Sequence, residues 1–343
     1  MLTRTLLAAG LAATFGTGAS AQFVEVFSEA EANNGTLATP LLDTVATSAD
    51  FGTAYALQRE PSGAVLGQSL TAFDGTSFTT IADIPDFAVE VLGTPGMAVV
   101  GGSIRLMDSL ANTVTEIDLG TGAVTEVVST ADFTAALGAA SNTAFYEVAS
   151  DGTIYGVEAS LDQLYVVSPG NVVDVEIAPA TFVANFGTVI GGIGIEGDNV
   201  LIGSNSNDEL YAWDTVSDTF STVLTTAEIE AVTDDIDGRA GFGDIFLAPD
   251  GLVYFYENDS DYLLSYDPSD PVGTLAVVLT EAELDAPAFG SDTINQLSWW
   301  DDPTYGEGIA WTDGSLGYYT IPEPTTMALL GLGGLAAARR RRA

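Results

Sequence analysis

Short stretches in which apolar and polar residues alternate, separated by turn residues, run through most of the chain. Alternation with a period of two predicts β-strands with one buried face, and dipeptides such as Asp151-Gly152 and Pro169-Gly170 are typical of the turns between them. The clearest group contains four stretches, at residues 145–149, 153–157, 163–167 and 172–177. Two further groups of four follow, within residues 189–224 and 242–279.

A weak internal repeat organises these groups. Residues 127–133, 223–229 and 278–284 share a Val, a central Ser/Thr, an Ala followed by Asp or Glu, and a final large apolar residue. Looser relatives end at Phe87 and Phe182, so that successive markers are 46, 49, 47 and 55 residues apart. A second marker, an apolar or aromatic residue followed by Asp and a turn, keeps the same register at Asp74, Asp118, Asp214 and Asp267. Four strands per period of this length predict an all-β propeller with four-stranded blades.

The two ends of the repeat region determine the number of blades. The last repeat shows three strands, near residues 294–300, 308–312 and 317–321, and residues 23–27 form a strand without a partner nearby in sequence. If the N-terminal strand joins the last blade, it closes the ring and removes an open sheet edge. We therefore predict six blades in one domain that spans residues 22–321. Seven blades are the alternative, if residues 36–46 contain a further strand pair.

Three Ser/Thr residues stand three positions before an acidic residue, which is the spacing of a helix capping box. This spacing predicts a short helical turn as the connector that follows the outer strand of a blade. The pairs are Ser129 with Asp132, Thr225 with Glu228, and Thr280 with Glu283.

The N-terminus has the pattern of an export signal. Arg4 is followed by an apolar run over residues 6–15, and then by Ala19-Ser20-Ala21, the small-x-small pattern that precedes signal peptidase cleavage. We expect residues 1–21 to be a signal peptide and the mature chain to begin at Gln22.

The C-terminus carries a second signal, formed by a Pro-Glu-Pro triplet, an uncharged apolar segment over residues 325–338 and a cluster of arginines. The apolar segment spans roughly 20 Å as a helix, less than the ~30 Å hydrocarbon core of a bilayer. Arginines after such a segment stay on the cytoplasmic side, which places the rest of the chain outside. An ordinary weak anchor is the alternative to a processed signal. The charged and proline residues concerned are Pro322, Glu323, Pro324, Arg339, Arg340, Arg341 and Arg342.

In their order and spacing, these three parts resemble the PEP-CTERM sorting signal of exported proteins of Gram-negative bacteria. The resemblance implies that residues 322–343 are recognised and cleaved by an exosortase after the export machinery has translocated the chain. It also implies a cell-surface or extracellular location, with membrane attachment only through the tail before processing. Proteins with this signal tend to occur with exopolysaccharide and biofilm systems. Within the repeats, the Asp-Gly turns at 151–152 and 250–251 resemble those of NHL-like and lactonase-like six-bladed propellers.

The charge of the chain excludes several classes of partner. Between the signal peptide and the terminal arginine cluster, Arg59, Arg105 and Arg239 are the only basic residues against 48 Asp and Glu, a formal charge of −45. This charge excludes nucleic acid and anionic lipid as partners and favours solubility or cation binding. An acidic exported proteome of a saline habitat would explain it equally well. The absence of cysteine excludes a disulfide framework, so that stability must come from burial or bound ions.

The sequence contains neither His nor Cys, which excludes Ser-His-Asp triads, thiol nucleophiles, zinc sites with imidazole or thiolate ligands, and haem ligation. Carboxylate chemistry remains. Asp234, Asp235 and Asp237, followed by a Gly, predict a Ca²⁺ site, and residues 205–209 and 258–261 form weaker oxygen-rich candidates. Trp299 and Trp300 form a candidate platform for stacking on sugar rings, although alternation along a strand places at least one of them in the core.

Two functional hypotheses follow. The first is a non-catalytic, exported binding or structural module at the cell surface or in the matrix, linked to exopolysaccharide. The second is an exported propeller hydrolase or lactonase that uses a Ca²⁺-type metal, which requires three or more Asp, Glu or Asn side chains at one mouth of the central channel.

Overall fold

The structure, a computed structural model, describes thirteen stretches of the chain. These are residues 23–27, 41–47, 52–59, 68–74, 78–84, 96–108, 111–138, 143–158, 161–233, 239–284, 296–302, 306–312 and 316–320. The predicted signal peptidase site at Ala19, Ala21 and Gln22 lies outside these residues.

The described residues form 24 strands in six antiparallel sheets of four. The strands are β1 Phe23–Phe27, β2 Leu41–Thr47, β3 Ala54–Arg59, β4 Gln68–Phe73, β5 Phe78–Ile84, β6 Met97–Val100, β7 Ser103–Asp108, β8 Thr113–Asp118, β9 Val124–Val128, β10 Thr143–Val148, β11 Ile154–Glu158, β12 Gln163–Val167, β13 Val173–Ile177, β14 Ile190–Glu196, β15 Asn199–Ser204, β16 Glu209–Asp214, β17 Thr219–Leu224, β18 Ile245–Leu247, β19 Val253–Glu257, β20 Tyr262–Tyr266, β21 Ala276–Leu279, β22 Gln296–Asp302, β23 Gly306–Thr312 and β24 Leu316–Thr320.

The first to fifth sheets take their strands in sequence order, from β2–β5 to β18–β21. The first strand of each sheet contacts the first strand of the next sheet, from β2 through β6, β10, β14 and β18 to β22, and β22 contacts β2. The sheets are thus arranged around a centre formed by their first strands. The prediction of an all-β propeller with four-stranded blades is confirmed.

The last sheet is built from both ends of the described chain. Its order is β22, β23, β24 and then β1, so that the N-terminal strand pairs with the C-terminal strand. The alternative of seven blades requires a further strand pair within residues 36–46. Of these residues, 41–46 belong to the single strand β2, and residues 36–40 lie outside the described part.

The described stretches contain five helices, four of which connect consecutive sheets, while α4 lies between the third and fourth strands of the fifth sheet: α1 Thr130–Leu137, α2 Pro179–Phe186, α3 Thr226–Thr233, α4 Pro271–Thr274 and α5 Glu281–Leu284. Three of them begin directly after a predicted cap. Ser129 and Asp132 form a complete capping box at α1, and the carboxylates of Glu228 and Glu283 accept hydrogen bonds from the backbone and hydroxyl groups of Thr225 and Thr280. Helices α1 and α3 are eight residues long, not the single turn that was predicted.

The repeated apolar markers anchor these connectors in the core. Phe133, Phe182 and Ile229 are each 1% exposed and pack between neighbouring sheets. A connecting helix that buries one large side chain in this way fixes the spacing of successive sheets, which explains why the marker recurs with the period of the repeat. None of the helices in the described stretches has the length and apolar character needed to span a membrane.

Candidate functional site: an acid pair at the centre of the ring

Two carboxyl groups stand on or beside the first strands around which the sheets converge. Glu147 lies on β10, in the third sheet, and Asp244 directly precedes β18, in the fifth. The two groups interact electrostatically, although the whole fourth sheet separates them along the sequence. We call Glu147 and Asp244 the central acid pair.

Glycines in the fourth sheet bring the fifth sheet close to it. A Cβ at Gly192 would lie 1.6 Å from the carbonyl oxygen of Gly243, and one at Gly194 would lie 2.4 Å from that of Ile245. The backbone around Asp244 therefore packs directly on β14, which only residues without a side chain permit. These glycines therefore form a backbone contact between the fourth and fifth sheets.

Asp244 is held in place by backbone groups. Its side chain is buried and accepts a hydrogen bond of 2.6 Å from the backbone N–H of Leu297, on the first strand of the last sheet. The backbone of Asp244 is fixed by β19, since its carbonyl oxygen accepts a hydrogen bond from the N–H of Tyr256. The carboxyl group thus links the fifth and the last sheet.

Glu147 lies against the second sheet. A Cβ at Gly96 would lie 2.8 Å from Glu147 Oε2, and the N–H of Gly96 donates to the carbonyl oxygen of Tyr146. Glu147 keeps partial solvent accessibility although protein surrounds its carboxyl group.

Burial changes the acidity of both groups. Burial raises the pKa of Asp244 to about 7, and the hydrogen bonds from the N–H groups of Leu297 and Ile245 oppose that rise. The pKa of Glu147 is raised well above its usual value, first by burial and then by the charge of Asp244. Because the two carboxyl groups influence each other, the protonation of one depends on the protonation of the other. Chemically, such a pair can hold a proton or take part in general acid–base steps.

The sequence analysis missed this pair. Each member interrupts an otherwise apolar or glycine-rich first strand, Phe145-Tyr146 before Glu147 and Phe242-Gly243 before Asp244. An acidic residue within an apolar or glycine-rich first strand is the sequence signal that points to this pair. With 48 acidic residues, many in turns, that signal was not distinctive.

The predicted Ca²⁺ ligands Asp234, Asp235 and Asp237 lie outside the described residues. The two weaker loops have structural roles that the structure shows. Asn205 Oδ1 accepts a hydrogen bond from the N–H of Phe242, and Asn258 Nδ2 donates one to the carbonyl oxygen of Phe242. Both asparagines thus fix the backbone of Phe242, two residues before Asp244 in the sequence. Within the described stretches, no three Asp or Glu side chains lie close enough together to hold a metal ion.

The predicted stacking platform is corrected by the structure. Trp299 is 4% exposed and Trp300 is 0% exposed, and both belong to strand β22. Trp300 packs edge-to-face on Phe73 of the first sheet, with ring centroids 5.2 Å apart. Trp299 packs in the core between the fifth and the last sheet. Alternation put them on opposite faces, as expected, but each face of β22 is covered by a neighbouring sheet.

Buried polar side chains cap the hairpin between the second and third strands of several sheets. Each accepts a hydrogen bond from the backbone N–H three residues further on, which satisfies a donor in the turn. The pairs are Asp108 with Ala111, Glu158 with Leu161, Ser204 with Asn207, and Glu257 with Ser260. These four side chains therefore stabilise turns.

Comparisons with known proteins bear on the two parts of the chain separately. Residues 320–342 match the PEP-CTERM protein-sorting motif. This motif implies an exported protein that is processed by an exosortase. It covers Pro322, Glu323 and Pro324 and the four arginines from Arg339 to Arg342, which lie outside the described residues. No curated protein sequence matches the chain.

Solved structures resemble the body of the chain in fold. A catalytically inactive variant of virginiamycin B lyase from Staphylococcus aureus, with a histidine replaced by alanine and quinupristin present, is 11% identical with a TM-score of 0.53, over 88% of this chain and 99% of that chain. A luciferin-regenerating enzyme is 6% identical with a TM-score of 0.55, over 89% of this chain and 96% of that chain. At these identities the likeness shows the propeller fold alone.

Proposed function

We propose that the mature protein, residues 22–321, is an exported propeller that acts as a non-catalytic binding or structural module at the cell surface or in the extracellular matrix. The observation that carries this proposal is the position of the sorting motif, whose match begins at residue 320, where the last strand of the propeller ends. A chain of this design delivers a complete folded ring, followed by a signal that directs its sorting. Exopolysaccharide is the ligand class that we propose.

We propose in addition that the chain consists of three segments. Residues 1–21 are the signal peptide, residues 22–321 the propeller and residues 322–343 the sorting signal. We take the six sheets as six blades of one closed ring, which the contacts between consecutive first strands and between β22 and β2 support.

Two measurements test the proposal. Fractionation of cells that express the full chain should place the protein outside the cytoplasm, and its tail should be lost only when an exosortase is present. A variant with Pro322→Ala, Glu323→Ala and Pro324→Ala should be exported but keep the tail. Purified residues 22–321 should bind exopolysaccharide on a glycan array, with and without Ca²⁺. Cytoplasmic retention of the wild-type chain would refute the sorting role, and absence of glycan binding would refute the ligand class.

The central acid pair favours one alternative, an exported hydrolase or lactonase. Perturbed carboxyl groups in a cleft are typical of catalytic acids and bases. The chain has no histidine, so the alternative depends on carboxylates together with a Ca²⁺-type metal. Turnover of ester or lactone substrates by residues 22–321 in Ca²⁺, abolished by Asp244→Asn, would establish it over the binding module.

Ca²⁺ binding at Asp234, Asp235 and Asp237 remains a separate proposal. Millimolar Ca²⁺ should raise the melting temperature of the wild-type protein but not that of a variant with all three residues changed to Asn, because a bound ion stabilises the folded state by mass action. An unchanged melting temperature of the wild type would remove this site.

A further inference from the structure

Two strands bring the ends of the propeller together. Strand β1 runs antiparallel to β24, with Phe23 opposite Tyr319 and Val24 opposite Tyr318. The beginning of β1 and the end of β24 therefore lie side by side at one end of the last sheet.

In other sheets the corresponding place is a tight hairpin between the third and fourth strands. Asp118 accepts a hydrogen bond from the N–H of Thr121 in the second sheet, and Asp214 accepts one from Ser217 in the fourth. The last sheet has no such hairpin, because its third and fourth strands come from opposite ends of the chain. Its two open ends lead to the two predicted processing sites instead.

The distances along the sequence are short. Gln22, the predicted first residue after signal peptidase cleavage, directly precedes β1, and Pro322 follows the end of β24 at Thr320 by two positions. Neighbouring strands lie about 4.8 Å apart, so the chain leaves the sheet toward both sites from nearly one point. An enzyme that cleaves a chain must hold several residues in an extended form, and residues paired within a sheet are not free for this until the pairing opens.

We propose that β1 is a latch on the sorting signal: while Phe23–Phe27 pairs with β24, the residues directly before the predicted processing site are held in the sheet and are not available to the processing enzyme, and the tail is removed when this pair opens. This inference rests on the proposed function, since it assumes that the tail is cleaved after export. Opening does not require the ring to unfold, because β1 is a five-residue strand at the outer edge of its sheet.

A disulfide across the latch tests it. The chain has no cysteine, and Val24 and Tyr318 are direct strand partners, at a separation that a disulfide can bridge. The full chain with Val24→Cys and Tyr318→Cys is expressed with an exosortase in the oxidising periplasm of a Gram-negative host, and tail loss is followed by mass spectrometry after a pulse of synthesis. We expect tail removal to slow about tenfold or more relative to wild type, because the crosslink removes the open form. Reduction with dithiothreitol should restore the wild-type rate.

The matched control places the same crosslink between the third and fourth strands of the first sheet, where Ala72 and Thr79 are direct partners. The pair Ala72→Cys and Thr79→Cys should leave the rate of tail removal unchanged. A spacer of about eight Gly and Ser residues between Ile321 and Pro322 should restore the rate in the crosslinked latch variant, because it moves the site away from the sheet.

The outcomes separate the two proposals. If the latch variant, shown to be crosslinked, loses its tail as fast as the control, the latch is refuted and the proposed sorting is not. If the wild-type chain keeps its tail beside an active exosortase, the proposed function is refuted, and the latch with it.

Discussion

At the scale of single residues, Asp244 couples the protonation of the protein to the stability of its centre. The pKa of this carboxyl group is raised by burial to about 7 in the folded protein, whereas in the unfolded chain it has its ordinary value near 4. Between these values the folded state binds more protons than the unfolded state. The free energy of unfolding from this group is therefore highest below about pH 4 and falls as the pH rises through about 7.

Asp244→Asn should remove this pH dependence. The amide cannot ionise, and its oxygen can still accept the hydrogen bond from the N–H of Leu297. We expect the variant to unfold at the same temperature as wild type near pH 4 and to be more stable by about 1–3 kcal/mol at pH 8. Thermal melting between pH 4 and 8 measures this.

The pKa of Glu147 provides a second measurement on the Asp244→Asn variant. Removal of the Asp244 charge should lower the pKa of Glu147, which carboxyl chemical shifts in a ¹³C NMR titration would report. Asp198→Asn, a change at an exposed turn residue, is the control for a lost negative charge. A melting temperature of Asp244→Asn that parallels wild type at every pH would contradict the assignment.

Arg105 also connects two sheets through its side chain. It lies on β7 of the second sheet, bonds Glu116 at 2.6 Å and reaches the turn of the third sheet through Asn171 and the carbonyl oxygen of Ser168. The side chain of Arg105 is 3% exposed and that of Glu116 38% exposed. The guanidinium therefore serves as a buried connection more than as a surface ion pair.

We expect Arg105→Met to lower the free energy of unfolding by about 2–4 kcal/mol, because it removes a buried donor and leaves partly buried acceptors of both sheets unpaired. Glu116→Gln should lose less than about 1 kcal/mol, since Glu116 is partly in contact with water. Urea unfolding of both variants compares them. Equal losses in the two variants would show that the ion pair, and not the contact with the third sheet, carries the effect.

At the scale of elements, the packing of neighbouring first strands depends on backbone contacts. Gly192 of β14 meets Gly243 so closely that a methyl group would force the fourth and fifth sheets apart. The same contact positions Asp244, so that packing and the central acid pair are linked.

Gly192→Ala should reduce stability by about 3 kcal/mol or more, because the rigid backbone opposite cannot move away cheaply. Gly170→Ala is the control, since its Cβ would meet nothing nearer than Ser168 Oγ at 3.6 Å, and it should change stability by less than about 0.5 kcal/mol. Chemical denaturation of the two variants measures the difference. A tolerated alanine at position 192 would mean that the two sheets are less closely packed than described.

The sequence predicted the elements well where a local rule set them. Alternation, Asp-Gly turns and the Ser129–Asp132 cap are properties of a few consecutive residues, and the strands and helices follow them. The group predicted within residues 242–279 begins too early, since β18 starts only at Ile245. Gly243 and Asp244 continue the backbone hydrogen bonds with β19 without forming regular strand. The central acid pair could not be predicted, because its members are 97 residues apart and meet only after the sheets close around the centre.

At the scale of the whole molecule, the ring is closed by strand pairing without a covalent link. Because the end of β24 lies beside the start of β1, a short turn could join them in the way that the other sheets join their third and fourth strands. With β24 and β1 joined by such a turn, the same fold should tolerate new chain termini in another exposed turn.

A circular permutant tests this. It joins Ile321 to Gln22 through Asn-Gly and opens the chain in the exposed turn between Val216 and Ser217. We expect its melting temperature to stay close to that of residues 22–321, whereas residues 28–321, which lack β1, should melt lower and associate through the exposed edge of β24. Light scattering and thermal melting follow both. A permutant that fails to fold, beside a stable 28–321 chain, would show that the ends do not meet.

The direction of β24 also determines how the protein would carry a mechanical load. Tension between a membrane-held tail and a ligand on the opposite face of the ring would pull along β24 and strain its hydrogen bonds to β23 and β1 together, so that many bonds share the force. Tension between the two termini would instead peel β1 from β24 one bond after another. The pairing of β1 with β24 therefore resists a force applied through the tail alone, but it opens easily when the N-terminus and the C-terminus are pulled apart.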